Sequence, residues 1–392
     1  MITNWLKTIQ MNKKIFIYLI LLFCLLFIIR LINIDADLPS WGVINYQPVD
    51  EGIYGNMALN MVNFGNINPN NYYGFNAYLM QGHVITNIIG NIVTYVCLIL
   101  FGDNYFGFRL SSYIFMLLSC VLMLFSWYKI KKSKNILIMM MVLLCSFQLY
   151  ISSRVIEPSV VRLFFISIIL FLISMKNLDK RILGFLIGLF ITISCFMVYI
   201  TNIFLYLTVF LFLIYQLKNK NYQDVKTLFI FGCIGIIIGL IISQIYYETV
   251  WNTDLITNTF EQISSFQYDQ TYAVNHINIQ VYITRLFKFL TSNLFLYTLP
   301  LLSFVLLNFK TIIKGTKNKD ILIFCCLGIF SFLMQTLFSE DYVVRKSIII
   351  SPFYFTLIYY CLINRNRNLE LSYIANLVSI ILAIFIPFLD YI

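Results

Sequence analysis

The chain has 392 residues, of which 60% are hydrophobic and 11% are charged, and its formal net charge is +10. Soluble domains carry about 25% charged residues, so a water-facing globular fold is excluded. The basic excess lies in short connectors rather than in one patch, which argues against a nucleic-acid partner and reads instead as a topology signal.

Apolar runs long enough to cross a bilayer recur from end to end. Such runs must satisfy their own backbone polar groups, so they are helices; barrel strands would be shorter and would alternate. The first run, 15–34, follows Lys13 and Lys14 and has no small-residue cleavage site, so it is read as a span that stays. The next, Val84–Phe101, places Asn87, Asn91 and Thr94 on one helical face, the pattern of a helix lying along the membrane surface. Full spans then follow at 107–128, 135–151, 159–175, 182–199, 201–217, 227–247, 291–308, 321–338, 347–363 and 371–389. The expected fold class is therefore an all-α polytopic integral membrane protein with about eleven transmembrane helices and external juxtamembrane helices in the first outer loop. The nine cysteines all fall in apolar segments and read as small helix residues.

Nineteen of the 27 Lys and Arg residues lie in the connectors around 7–14, 129–134, 176–181, 218–226, 310–319 and 365–367. Short basic loops mark the cytoplasmic side. The amino terminus is then inside, the carboxyl terminus outside, and two long loops, 35–106 and 248–290, are external. Isoleucine-, asparagine- and lysine-rich usage suggests an AT-rich genome and a bacterial plasma membrane.

Eight basic residues fall outside the cytoplasmic set, among them Arg109, Arg154, Arg162, Arg345 and Lys346, and 13 of the 17 acids share their face. Charge at membrane depth is costly and is usually functional. Arginine suits bidentate phosphate contact, so an anionic ligand at this face accounts for the pattern. Asp50 and Glu51 lie in Tyr46–Tyr54 just before a short helix, Met57–Phe64, that Gly65 ends; locally they also read as its cap and first turn. Glu157 precedes Pro158, which suits the first position of a helix, and it also reads as a plain ion-pair partner of Arg154. The 339–346 turn also reads as a solvated loop, and His83 as a hydrogen-bonding surface residue. Two histidines cannot build a His-rich metal site, so any ion would be held by carboxylates, which favours Mg, Mn or Ca.

Asp50-Glu51-Gly-Ile-Tyr54 after the first span, followed by Phe101-Gly102-Asp-Asn104-Tyr-Phe-Gly-Phe-Arg109-Leu110, resembles the GT-C glycosyltransferases. The branch it resembles contains the protein O-mannosyltransferases and the bacterial aminoarabinose transferase that acts on lipid A. The likeness covers roughly residues 15–215, and Glu157-Pro158 occupies the place of a second external acid. It implies a GT-C-like transmembrane core at 1–217, with the first external loop 35–106, and a variable C-terminal transmembrane region at 218–392, with the external loop 248–290. The chain departs from many relatives at Gln81-Gly82-His83, where they carry a Pro-Pro pair, and at Tyr199-Ile-Thr201-Asn202, where some carry a lysine.

The resemblance implies an inverting sugar transfer from a polyprenyl-phosphate donor to a glycan, lipid or protein acceptor at the outer face. It implies Asp50 as general base and Glu51 as its tuning or orienting partner. Arg345, Lys346, Arg154 and Arg109 would answer the leaving phosphate, with Tyr54 and His83 at the substrate. Glu157 would hold a divalent cation, Mg or Mn, or else orient Arg154. Two other readings stand beside this one. A cell-surface polysaccharide polymerase or ligase would place its essential residues in 248–290. A lipid-linked substrate transporter or flippase would need charge in mid-span and broken helices.

Overall fold

The computed structural model describes residues 31, 58–65, 87–131, 136, 139, 143, 149, 158–175, 177–219, 222–251, 254–257, 259, 319–336 and 349–363. Among them there are helices and turns and no strand. Eight helices are described at length: α1 (Ile88–Phe101), α2 (Tyr105–Ile130), α3 (Pro158–Ser174), α4 (Lys180–Phe196), α5 (Phe204–Asn219), α6 (Tyr222–Tyr246), α7 (Lys319–Thr336) and α8 (Ser351–Ile363). The pair read at 182–199 and 201–217 appears as α4 and α5, turned by residues 197–199 and one 3-10 turn at Ile200–Ile203. The expected spans at 291–308 and 371–389 lie outside the described residues, as do all of 15–34 except Leu31 and most of 135–151.

Solvent exposure reverses the soluble pattern. On α1 the polar Asn91 and Thr94 are buried, whereas Ile99 and Leu100 are 58% and 68% exposed. On α6, Phe229, Ile230, Ile237, Ile241 and Ile245 form an open apolar face. In water such faces would cost about 25 cal/mol for each Å² of apolar surface; against lipid tails they cost nothing. α2 and α6 are long and apolar enough to cross a bilayer. With 26 residues, α2 is about 39 Å long.

Contacts fix the helix directions. Phe115 meets Phe164 and Phe125 meets Phe171, at centroid distances of 5.5 and 6.5 Å, so α2 and α3 run parallel. Tyr206 donates to Thr192 at 2.7 Å, setting α5 against α4. Phe204 meets Phe332 and Phe212 meets Phe324, so α7 runs against α5. α4 and α6 are parallel: a Cβ on Gly184 would meet the Leu228 carbonyl, and one on Gly188 the Gly232 carbonyl. α2, α3 and α5 thus start at one end of the bundle, and α4, α6 and α7 finish there. Lys131, Lys180, Lys218, Lys226 and Lys319 mark the opposite end.

The main core cluster is built largely on α2 and α3, and α7 and α8 also pack into it. Trp127 of α2 donates through Nε1 to Thr356 Oγ1 of α8 at 2.9 Å and stacks on Tyr359 at 5.7 Å. Tyr359 in turn donates its hydroxyl to the carbonyl of Lys131. Lipid tails are as apolar as leucine, so close packing and interhelical hydrogen bonds of this kind hold such a bundle together.

Candidate active site at the end where α2 and α3 begin

The turn between α1 and α2 is built by the Gly102–Leu110 stretch. Gly102 takes φ 89°, a conformation that side chains disfavour, and its N–H donates to Leu98 O at 2.8 Å. Asn104 caps α2. Its Oδ1 accepts from Gly107 N at 2.8 Å and its Nδ2 donates to Phe101 O at 2.9 Å. Gly107 must lack a side chain, since a Cβ there would stand 2.7 Å from Gly102 O. Arg109 follows in the first turn of α2. It is fully buried, with Cζ 5.4 Å from the centroid of the Tyr105 ring, a cation–π distance.

Arg162, one turn into α3, occupies the matching place. It is 1% exposed, its Nε donates to Asn202 Oδ1 at 2.6 Å, and its Cζ lies 5.3 Å from the Tyr199 ring centroid. Asn202 is held for this role because its Nδ2 donates to Ser194 O at 3.0 Å, which turns its oxygen toward the arginine. Arg109 and Arg162 are the two fully buried charged side chains among the described residues.

The same end gathers further polar groups. Ile88 N at the start of α1 donates to Met197 O at 3.1 Å, and Tyr247 OH at the end of α6 donates to Phe196 O at 3.0 Å. Thr94 donates to Ser111 Oγ at 2.7 Å, tying α1 to α2. Asn87 is 2% exposed, and its Oδ1 accepts no hydrogen bond among the described residues.

Of the residues singled out in the sequence, Arg109 is placed as described. Asp50, Glu51, Tyr54, His83, Arg154, Glu157, Arg345 and Lys346 lie outside the described residues. The short helix after the acid pair is present over 58–64, and it ends at Gly65 with φ 63° and a hydrogen bond to Met61 O at 3.2 Å. α3 starts at Pro158. No group of three His, Cys, Asp or Glu side chains that could hold a metal occurs among the described residues. Sequence reasoning missed the Arg162–Asn202–Tyr199 cluster as a unit. Arg162 stood out as a charge against the topology, but a separation of 40 residues hid its partner.

No protein-family model matches the chain. No curated protein sequence is significantly similar to it. Among solved structures it is similar to ArnT from Cupriavidus metallidurans in the apo state, with a TM-score of 0.60 and 12% sequence identity over 93% of this chain. The match spans 62% of the ArnT chain. Together with the helical, lipid-facing architecture of the described residues, that similarity shows that this chain has the polytopic membrane fold of ArnT.

Proposed function

We propose that the chain transfers a sugar from a polyprenyl-phosphate donor to an acceptor at the outer face of a plasma membrane, with inversion at the anomeric carbon. The observation that carries the reading is the ArnT-like fold over 93% of the chain; ArnT is a lipid A aminoarabinose transferase and a GT-C membrane glycosyltransferase. Two buried arginines at one end of the bundle fit the same chemistry. A phosphate leaving group gathers negative charge as its bond to the sugar breaks, and cations held in place beforehand stabilise that charge without reorganising.

In this mechanism the acceptor oxygen attacks the anomeric carbon while Asp50 takes its proton, and the bond to the donor phosphate breaks. The polyprenyl phosphate departs with the bonding electron pair. Glu51 orients the acceptor or tunes Asp50. Arg345, Lys346, Arg154 and Arg109 receive the phosphate charge, Tyr54 and His83 line the substrate, and Asn87 accepts from a sugar hydroxyl. Glu157 either holds a divalent cation, Mg or Mn, or orients Arg154. Eleven spans with a cytoplasmic amino terminus put all of these groups on one face, and the sugar is a hexose or a pentose.

The test is transfer from a panel of radiolabelled polyprenyl-phosphate sugars by purified wild type and Asp50→Asn. Removing a general base slows the reaction by about 10²–10⁴-fold, so the variant should retain its fold and lose measurable transfer. Unchanged transfer by Asp50→Asn would remove that residue from the mechanism and turn attention to 248–290.

A further inference from the structure

The segment beyond α6 folds back onto the bundle at the corner where α1 starts. After Tyr246 the chain takes one π-helical turn, Tyr247–Trp251, a geometry that is rare in proteins. A short helical turn then opens at Asp254, and in it Leu255 is turned inward and 6% exposed while its neighbour Ile256 is 67% exposed. Leu255 packs in one cluster with Tyr246, Tyr247 and Ile88, the first residue of α1, and Phe196 and Met197 at the end of α4 pack against it. Two hydrogen bonds close the corner from the bundle side. Tyr247 OH donates to Phe196 O at 3.0 Å, and Ile88 N donates to Met197 O at 3.1 Å.

A single amide ties the later segment to this corner. Gln244, in the last turn of α6, donates through Nε2 to Glu248 Oε1 at 2.6 Å, and its Oε1 accepts from Leu255 N at 2.9 Å. The carboxylate is four positions on, close enough along a helix for side chains to meet, whereas the Leu255 amide is 11 positions on. Both contacts need a donor and an acceptor side by side. Leucine offers neither, and a glutamate would accept from Leu255 N but set its charge against Glu248. We propose that Gln244 is a latch that fixes residues 247–257 to the amino-terminal end of α1, so that the two release as one unit. The Met197 carbonyl that holds Ile88 lies just before Tyr199 and Asn202, the partners of Arg162. Opening the latch therefore uncovers the turn on which that arginine rests.

The test is hydrogen–deuterium exchange of the full-length protein in detergent, read by mass spectrometry on short peptides around Ile88 and Leu255. In wild type both amides should lose protection together as denaturant is added, as members of one cooperative unit do, and before Lys131 N–H at the far end of α2 does. Gln244→Leu should speed exchange at both by about tenfold, the factor that one hydrogen bond supplies, and leave Lys131 at its wild-type rate. Gln244→Glu should act in the same way. Adding Glu248→Gln to Gln244→Glu restores the donor and acceptor with their roles exchanged. That pair should return both amides to wild-type rates, a rescue that general loosening of the corner would not give. Every readout is backbone exchange, so the latch can fail while the sugar-transfer reading stands. Separate openings of the two amides in wild type overturn the proposal, and that arm requires no variant to fold. Faster exchange at Leu255 with Ile88 unchanged also overturns it, as does failure of the reversed pair to rescue.

Discussion

Arg162 shows how a single charge can be kept inside a membrane bundle. Its Nε has an oriented acceptor in Asn202, itself held by the Ser194 carbonyl, and its guanidinium lies over Tyr199. Lysine has neither the planar face nor the second nitrogen geometry, so Arg162→Lys is not conservative. Asn202→Leu leaves the arginine in place and deletes its acceptor. A hydrogen bond to a charged group contributes about 1.5–3 kcal/mol, so each substitution should lower stability by about that amount in thermal unfolding of the purified protein. The two act through one contact, so the double variant should lose little more than the worse single one. Additive losses would show that the residues are not coupled. The sequence reading reached Arg162 through its position against the charge rule. It named Tyr199–Asn202 only as a departure from the family pattern, because a side-chain amide in a turn carries no signal of what it faces.

The α4–α6 pair illustrates what decides helix packing when the solvent is lipid. A Cβ on Gly188 would collide with the Gly232 carbonyl, whereas one on Gly232 would sit at an ordinary 3.7 Å from Gly184 O. The two glycines face each other, yet their substitutions should differ. Gly188→Ala should destabilise by about 1–3 kcal/mol, as overpacking does, while Gly232→Ala should stay within about 0.5 kcal/mol of wild type. Unfolding of both variants in the same detergent checks the contrast, and equal losses would mean that the pair relaxes freely. Beyond the end of α6, Asp254 accepts from Thr257 N at 2.8 Å and from Thr257 Oγ1 at 2.6 Å. These bonds hold its carboxyl below the usual carboxylate range. A carboxylate lowered in the folded state contributes stability above its unfolded value, about 3.9, and that contribution is lost as pH falls through the folded value. Exchange of the Thr257 amide should therefore stay protected at neutral pH and lose protection only in strong acid. Protection that is the same in Asp254→Ala would remove the cap from this account. Helix existence was legible because apolar runs and basic connectors are one-dimensional signals. The Gly184, Gly188, Gly232, Gly235 and Gly239 contact was not, because spacing within one helix does not reveal which other helix comes close.

At the scale of the whole molecule, the relative directions of α2 to α7 agree with alternating crossings between the basic connectors that lie among the described residues. The acid pair, by contrast, was legible only through its likeness to a family motif, since Asp50 and Glu51 at a helix start have an ordinary capping role as well. The division of the chain at 217/218 follows how far the family likeness extends, which carries no information on contacts between distant segments. Trp127 and Thr356 make such a contact, 229 residues apart, inside a core cluster that takes residues from both sides of that division. Thr356 Oγ1 also donates to Pro352 O at 2.7 Å, so its hydroxyl both accepts the indole proton and caps its own helix turn. Thr356→Val keeps the shape and deletes the acceptor, leaving Trp127 Nε1–H buried without a partner. An orphaned donor costs about 1–3 kcal/mol, and lipid offers no replacement. Because α2, α3, α7 and α8 share one cluster, the loss should lower the midpoint of a single cooperative transition. Two separated transitions, with the C-terminal helices melting first, would instead show that the halves on either side of residue 217 hold together independently.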